Sequence, residues 1–222
     1  MSRSKRKPSG SSMAVVGVLA LALGGMGLLR LMSEHPASSP GSAADLAPQF
    51  LARKERWGTK TGVGGDSDQI DFAHPKETTV ADLIGLPRPD GLPTRGGPGS
   101  DRFGPVEKTA YTIDAKLIRY KLEEEDDQDF HIVITDYKNP GLTMIVEIPD
   151  PRAVDPSSPW RDQIAKARQV FEDAFHPISR FTRRTAHLRI TGIGFFDFLH
   201  GQSGVAPNGI ELHPVTVIEI LD

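Results

Sequence analysis

The order of the apolar periodicities after Glu107 constrains this chain most: two-residue alternation, a helical period, then alternation again. Thr109 to Leu122 (TAYTIDAKLIRYKL) places Tyr111, Ile113, Ala115 and Leu117 on one face, as a half-buried strand does. Ile118 and Tyr120 fall on the other face, so the strand is expected to bend and exchange its buried side. Glu123 to Asp129 (EEEDDQD) reads as an acidic turn and Phe130 to Thr135 as a second strand. Lys138-Asn139-Pro140-Gly141 is a turn signal. Leu142 to Ile148 is a third strand, stopped by Pro149 and Pro151. Ser158 as cap and Pro159 at the first helical position then open a helix. Trp160, Ile164, Ala167, Phe171 and Phe175 recur along it at helical spacing, against a polar face of Asp162, Lys166, Glu172 and Asp173. His187 to Ile193 is a fourth strand, and Ile210 to Leu221 holds a fifth.

Three strands, one helix and two strands predict a mainly β fold. The expected architecture is an OB-fold-like five-stranded barrel with one helix between strands 3 and 4. Closure would leave no exposed edge, with Trp160, Ile164 and Phe171 plugging one end. A generic α+β sandwich is the alternative.

The N-terminus reads differently. Arg3, Lys5, Arg6 and Lys7 give residues 1–12 a basic character. An uncharged apolar run follows from Met13 to Leu29 and, past Arg30, reaches Met32. As a helix it spans about 26–30 Å, enough for a bilayer. Residues 13–32 are therefore expected to be a transmembrane helix or signal anchor, single-pass, with the N-terminus inside and the C-terminal domain outside the cytoplasmic membrane. Export after signal cleavage near Ala37-Ser38-Ser39 is the alternative. Between Ser33 and Pro105 lie 9 Pro and 11 Gly, so residues 33–106 read as a flexible linker. One short helix is expected near 79–85, capped by Thr79 and stopped by Gly85 and Pro87. Residues 107–222 form the folded domain.

Composition closes several routes. The chain has no Cys, which excludes disulfide frameworks, Cys-ligated metal and thiol catalysis. Residues 107–222 carry 13 Lys and Arg against 19 Asp and Glu. That balance, and six acidic residues in the turn 123–129, oppose the phosphate contacts that nucleic-acid binding needs. Arg180, Arg183, Arg184 and Arg189, with Phe181, keep single-stranded nucleic-acid binding as an alternative, but nucleic acid is not expected as a partner.

Chemistry-bearing residues gather late. Ile193 to Val215 (IGFFDFLHGQSGVAPNGIELHPV) contains Asp197, His200, Glu211 and His213, and Asn208-Gly209 is a strong turn signal. Glu211 and His213 are two apart, so on a strand they share a face. With His131 they form a His and carboxylate set suited to a ligand or a divalent metal. The candidate ligand-binding residues are His131, Asp197, His200, Asn208, Glu211 and His213. Ser203 with His200 or His213 is a conceivable nucleophile and base, but no Gly-x-Ser-x-Gly elbow is present. No catalytic residue is assigned. No metal-spacing signature is found, so neither a metal nor a cofactor is expected.

Three segments carry a resemblance: Asp129-Phe130-His131, Thr143 to Pro149 (TMIVEIP) and Gly204 to Val215 (GVAPNGIELHPV). Residues 107 to 222, with a weaker echo at Thr79 to Pro87, resemble a family of bacterial exported or membrane-anchored proteins with a C-terminal OB-fold-like domain. The resemblance implies the fold and export and brings no established activity. The expected function is a membrane-tethered extracytoplasmic binding or interaction module that meets the bilayer through its N-terminal helix. Its candidate partner is an extracytoplasmic protein or glycan, met by the 195–215 loop. A metal-dependent hydrolase using the His and carboxylate cluster is the alternative.

Overall fold

A computed structural model describes residues 56–63, 66–92, 102–124 and 128–221. The elements, in chain order, are α1 (Trp57–Thr61), β1 (Lys76–Thr78), α2 (Val80–Ile84), β2 (Ala110–Leu122), β3 (Phe130–Asp136) and β4 (Thr143–Ile148). After them come α3 (Arg161–Phe175), β5 (Thr182–Arg183), β6 (His187–Phe196) and β7 (Ile210–Ile220). Five strands close into a barrel in the order β2–β3–β4–β7–β6 and back to β2. The β4–β7 contact is parallel and the other four are antiparallel.

β2 makes closure possible. Its first half pairs with β6, from Ala110↔Ile193 to Lys116↔His187. Its second half pairs with β3, from Ala115↔Asp136 to Leu122↔Phe130. A register shift between Leu117 and Arg119 divides the two halves, and such a bulge bends a strand. Buried side chains move there from Tyr111, Ile113, Ala115 and Leu117 to Tyr120, which is the exchange of sides that the pattern implies. Each half of β2 leaves an edge open, and a short strand covers each. β1 pairs in parallel at Tyr111–Ile113 and β5 antiparallel at Arg119–Tyr120.

The interior is filled by alternate residues: Ile113 and Leu117 of β2, Phe130, Ile132 and Ile134 of β3, Met144, Val146 and Ile148 of β4, and Ile210 and Leu212 of β7. α3 adds Ile164, Ala167, Phe171 and Phe175 to that cluster. Phe171 meets Tyr120 edge-on with centroids 5.3 Å apart, and the Tyr120 hydroxyl donates to the Phe175 carbonyl at 2.7 Å. The helix starts at Arg161 rather than Pro159. Ser158 Oγ accepts from the Trp160 amide and donates to the Thr61 carbonyl, so it serves the turn and α1 together.

Two expectations need correction. Residues 56–63 and 66–92 are not tether but an outer layer of the barrel. Trp57, Ile70, Val80 and Leu83 are buried, and the fully buried Glu107 carboxylate receives the Arg56 guanidinium and the amides of Phe103 and Phe196. Four apolar anchors and a bidentate pair hold a segment whose averaged composition hides them. α2 itself matches the short helix read near 79–85, with Thr79 Oγ1 accepting from the Asp82 amide. Secondly, Phe195 and Phe196 belong to β6 and are 1% exposed. The surface loop nominated at 195–215 therefore shrinks to the connection 197–209. The expected membrane segment 13–32 lies outside the described residues, among which no helix is long and apolar enough to cross a membrane.

Candidate functional site

Strand alternation that sends Phe130, Ile132, Val146 and Leu212 inward sends His131, Val133, Ile145, Glu147, Glu211 and His213 outward. On a bare barrel those residues would be wet. Here they are covered. The 197–209 connection folds back over β3, where Gly204, at φ 93°, lies so close to Val133 that an added Cβ would overlap its methyls. α1 packs against β7 from the other side. Under this cover His213 and Asp129 are fully buried, His131 and Glu211 nearly so, and the Glu147 side chain is 12% exposed.

Glu147 ties the group together. Its Oε1 accepts from His131 Nδ1 and its Oε2 from His213 Nδ1, both at 2.9 Å. The hairpin register sets the first contact directly, because His131 and Glu147 are paired residues of β3 and β4. His213 Nδ1 also lies 3.2 Å from Glu211 Oε1, and its Nε2 faces Asp129 Oδ2 at 3.3 Å. His131 Nε2 donates to the Ser203 carbonyl at 3.3 Å, which attaches the covering loop to the cluster. Lys60 of α1 brings its Nζ to 4.0 Å from Glu147 Oε2.

The charges follow from these contacts. Burial pushes the Glu147 carboxyl up, but hydrogen bonds from both imidazoles and the Lys60 charge outweigh it and hold the group well below the usual carboxylate range. Burial raises Glu211 to about 7, with the charges of Glu147 and Asp197 adding to it. Burial and Lys60 lower His213, yet its hydrogen bonds to Glu147 and Glu211 raise it to about 9. His131 is likewise raised, against burial, by its bond to Glu147. The wall beneath the loop therefore stabilises positive charge.

Three of the six candidate residues meet here: His131, Glu211 and His213. Asp197 sits at the margin, with its amide donating to the Gly209 carbonyl and Oδ2 accepting from Gln202. His200, 45% exposed, stacks on Phe198 at 4.2 Å and brings its Nε2 to 3.6 Å from Asp197 Oδ2, outside the cluster. Asn208 is a staple. Its amide donates to the carbonyls of Leu83 and Leu86, and its oxygen accepts from the Ile210 amide. The Ser203 hydroxyl accepts from the Arg119 guanidinium, and among the described residues no hydrogen bond joins it to His200 or His213. Asp129, Glu147 and Lys60 were missed. Glu147 was findable, because it is an isolated charge in an apolar strand, and the 138–141 turn sets it opposite His131. Lys60 was hidden in the presumed linker.

No protein-family model matches the chain, and no curated protein or solved structure matches it.

Proposed function

We propose that this chain is a membrane-tethered binding module, in which an OB-like barrel outside the cytoplasmic membrane takes a positively charged ligand on its outer wall. The observation that carries this reading is Glu147 bridging His131 and His213 beneath the 197–209 connection. OB barrels use the outer face of strands 2 and 3, flanked by the first and fourth loops, to receive ligands. In this chain that face is β3–β4, flanked by the described residues 123–124 and 128–129 of the β2–β3 connection and by 197–209. Asp129, Glu147 and Glu211 are paired on this wall with His131, His213 and Lys60, and a cationic ligand would take the place of those built-in charges on the same carboxylates, which a polyanion could not do.

The test is thermal unfolding of the full chain in detergent with Zn²⁺, Mn²⁺, Ca²⁺, spermidine, trilysine or oligothymidylate as probes. Stabilisation by at least one cationic probe, abolished by Glu147→Gln, is expected. Stabilisation by oligothymidylate alone, or by no probe, refutes the reading.

A further inference from the structure

We infer that Asp129, Glu147 and His213 form a binding site for a first-row divalent metal, zinc in the first instance. This rests on the outer wall being the ligand face and names the ligand. The three residues each offer one donor atom, and those atoms lie within 4.8 Å of one another. Zinc holds nitrogen and oxygen ligands at about 2.0–2.2 Å, so atoms around one ion stand about 3.3–3.6 Å apart in a tetrahedron. His213 Nε2 and Asp129 Oδ2 already stand at 3.3 Å. Glu147 would complete the set by exchanging its contact with His213 Nδ1 for the ion.

A second observation points to the same ion. His213 is fully buried, and its Nε2, which makes no hydrogen bond, faces the Asp129 carboxylate at 3.3 Å. With Glu147 turned to the ion, His213 Nδ1 keeps the Glu211 carboxylate, 3.2 Å away. A metal-ligating imidazole is built in this way: one ring nitrogen is oriented by a carboxylate while the other faces the ion. One nitrogen with oxygen donors suits zinc and manganese better than the all-oxygen shells of calcium. Lys60 bears on the same site. Its ammonium, 4.0 Å from Glu147 Oε2, is a built-in cation that a divalent ion must outcompete.

Two substitutions separate a metal site from a buried ion network. The full chain is dialysed against EDTA, then titrated with Zn²⁺ and Co²⁺ by calorimetry and, for Co²⁺, by its visible absorption. One equivalent of metal is expected. Asp129→Asn removes a ligand and should weaken binding about tenfold or more. Lys60→Met removes the competing charge and should tighten it, whereas a purely structural network predicts lost stability and no metal effect. Circular dichroism checks that each variant is folded; if Asp129→Asn does not fold, Lys60→Met and Glu147→Gln decide. No bound metal in wild type and in Lys60→Met overturns the inference, as does binding that Asp129→Asn and Glu147→Gln leave unchanged. If spermidine or trilysine stabilises the protein while no metal binds, the cationic-ligand reading survives and the metal assignment alone falls.

Discussion

Replacing Glu147 with Gln keeps the shape of the side chain and removes its charge. In the native protein each carboxylate oxygen accepts one imidazole N–H at 2.9 Å. A Gln amide offers one acceptor oxygen and one NH2, so one imidazole then faces a donor. A hydrogen bond to a charged group contributes about 1.5–3 kcal/mol, and breaking a buried ion pair by removing one partner costs about 3–5 kcal/mol. Two features reduce the loss. His213 Nδ1 keeps Glu211 Oε1 at 3.2 Å, and Glu147 is 12% exposed rather than sealed. The expected cost is therefore about 2–4 kcal/mol. At about 2–4 °C per kcal/mol for a chain of this size, Tm falls by roughly 5–15 °C. Urea unfolding in EDTA measures it without metal. A double-mutant cycle with His131→Asn should return a coupling of about 1–3 kcal/mol. A loss below about 0.5 kcal/mol, which is the level of an ordinary surface change, would refute the view that the bridge organises this wall.

The pH dependence has a definite sign. His213, raised to about 9, contributes stability that is complete below its ordinary 6.5 and is lost as pH rises through about 9. Glu211, raised to about 7, costs stability as pH rises from its ordinary 4.5 through about 7. Urea midpoints in EDTA should therefore fall between pH 6 and pH 9, and Glu211→Gln should remove the lower part of that decline; a rising midpoint contradicts both assignments. Gly204→Ala, at φ 93° and against Val133, should cost about 1–3 kcal/mol and speed amide exchange across 197–209, and unchanged exchange would show that the loop is not held there. The chain has no Cys, so Tyr137→Cys, at a site 58% exposed, gives one thiol. A membrane-impermeant maleimide should label it in intact cells, and labelling only after lysis would place the barrel inside.

The barrel was legible because each strand announces itself by alternation and each junction by turn chemistry. The single helical period from Trp160 to Phe175 falls between strands three and four, where α3 lies. Tyr120 even signalled the bulge. The outer layer was not legible, because its anchors are too few to make a period. Trp57, Ile70, Val80 and Leu83 are dispersed among Gly and Pro, and Arg56 finds Glu107 across 51 positions. Half of the candidate site was legible for a related reason. Glu211 and His213 share a strand face, so local spacing is enough. Asp129 and Lys60 reach the cluster only through tertiary packing. His200 misled because a titratable residue in a loop looks the same in sequence whether it turns in or out.

The site and the fold share one specification. His131, Glu147, Glu211 and His213 all occupy the outward phase of their strands, whereas Ile132, Val146 and Leu212 occupy the inward phase. A one-residue slip of any strand would exchange the two sets and drive charged groups into the apolar interior at a cost of several kcal/mol each. The polar wall therefore opposes misregistration as strongly as the core favours the native pairing. That wall must still be dried for its charges to act on one another at full strength, and among the described residues the 197–209 connection and α1 cover it, with Phe181 edge-on to His131. Two covers from opposite ends of the domain, attached by His131 to the Ser203 carbonyl and by Lys60 to Glu147, make the cluster respond to either one. Loosening α1 should weaken the protection of 197–209 even though the described contacts between them run through the cluster. Hydrogen exchange on Lys60→Met reads that coupling, and a loop unaffected by the change would mean that the two covers act independently.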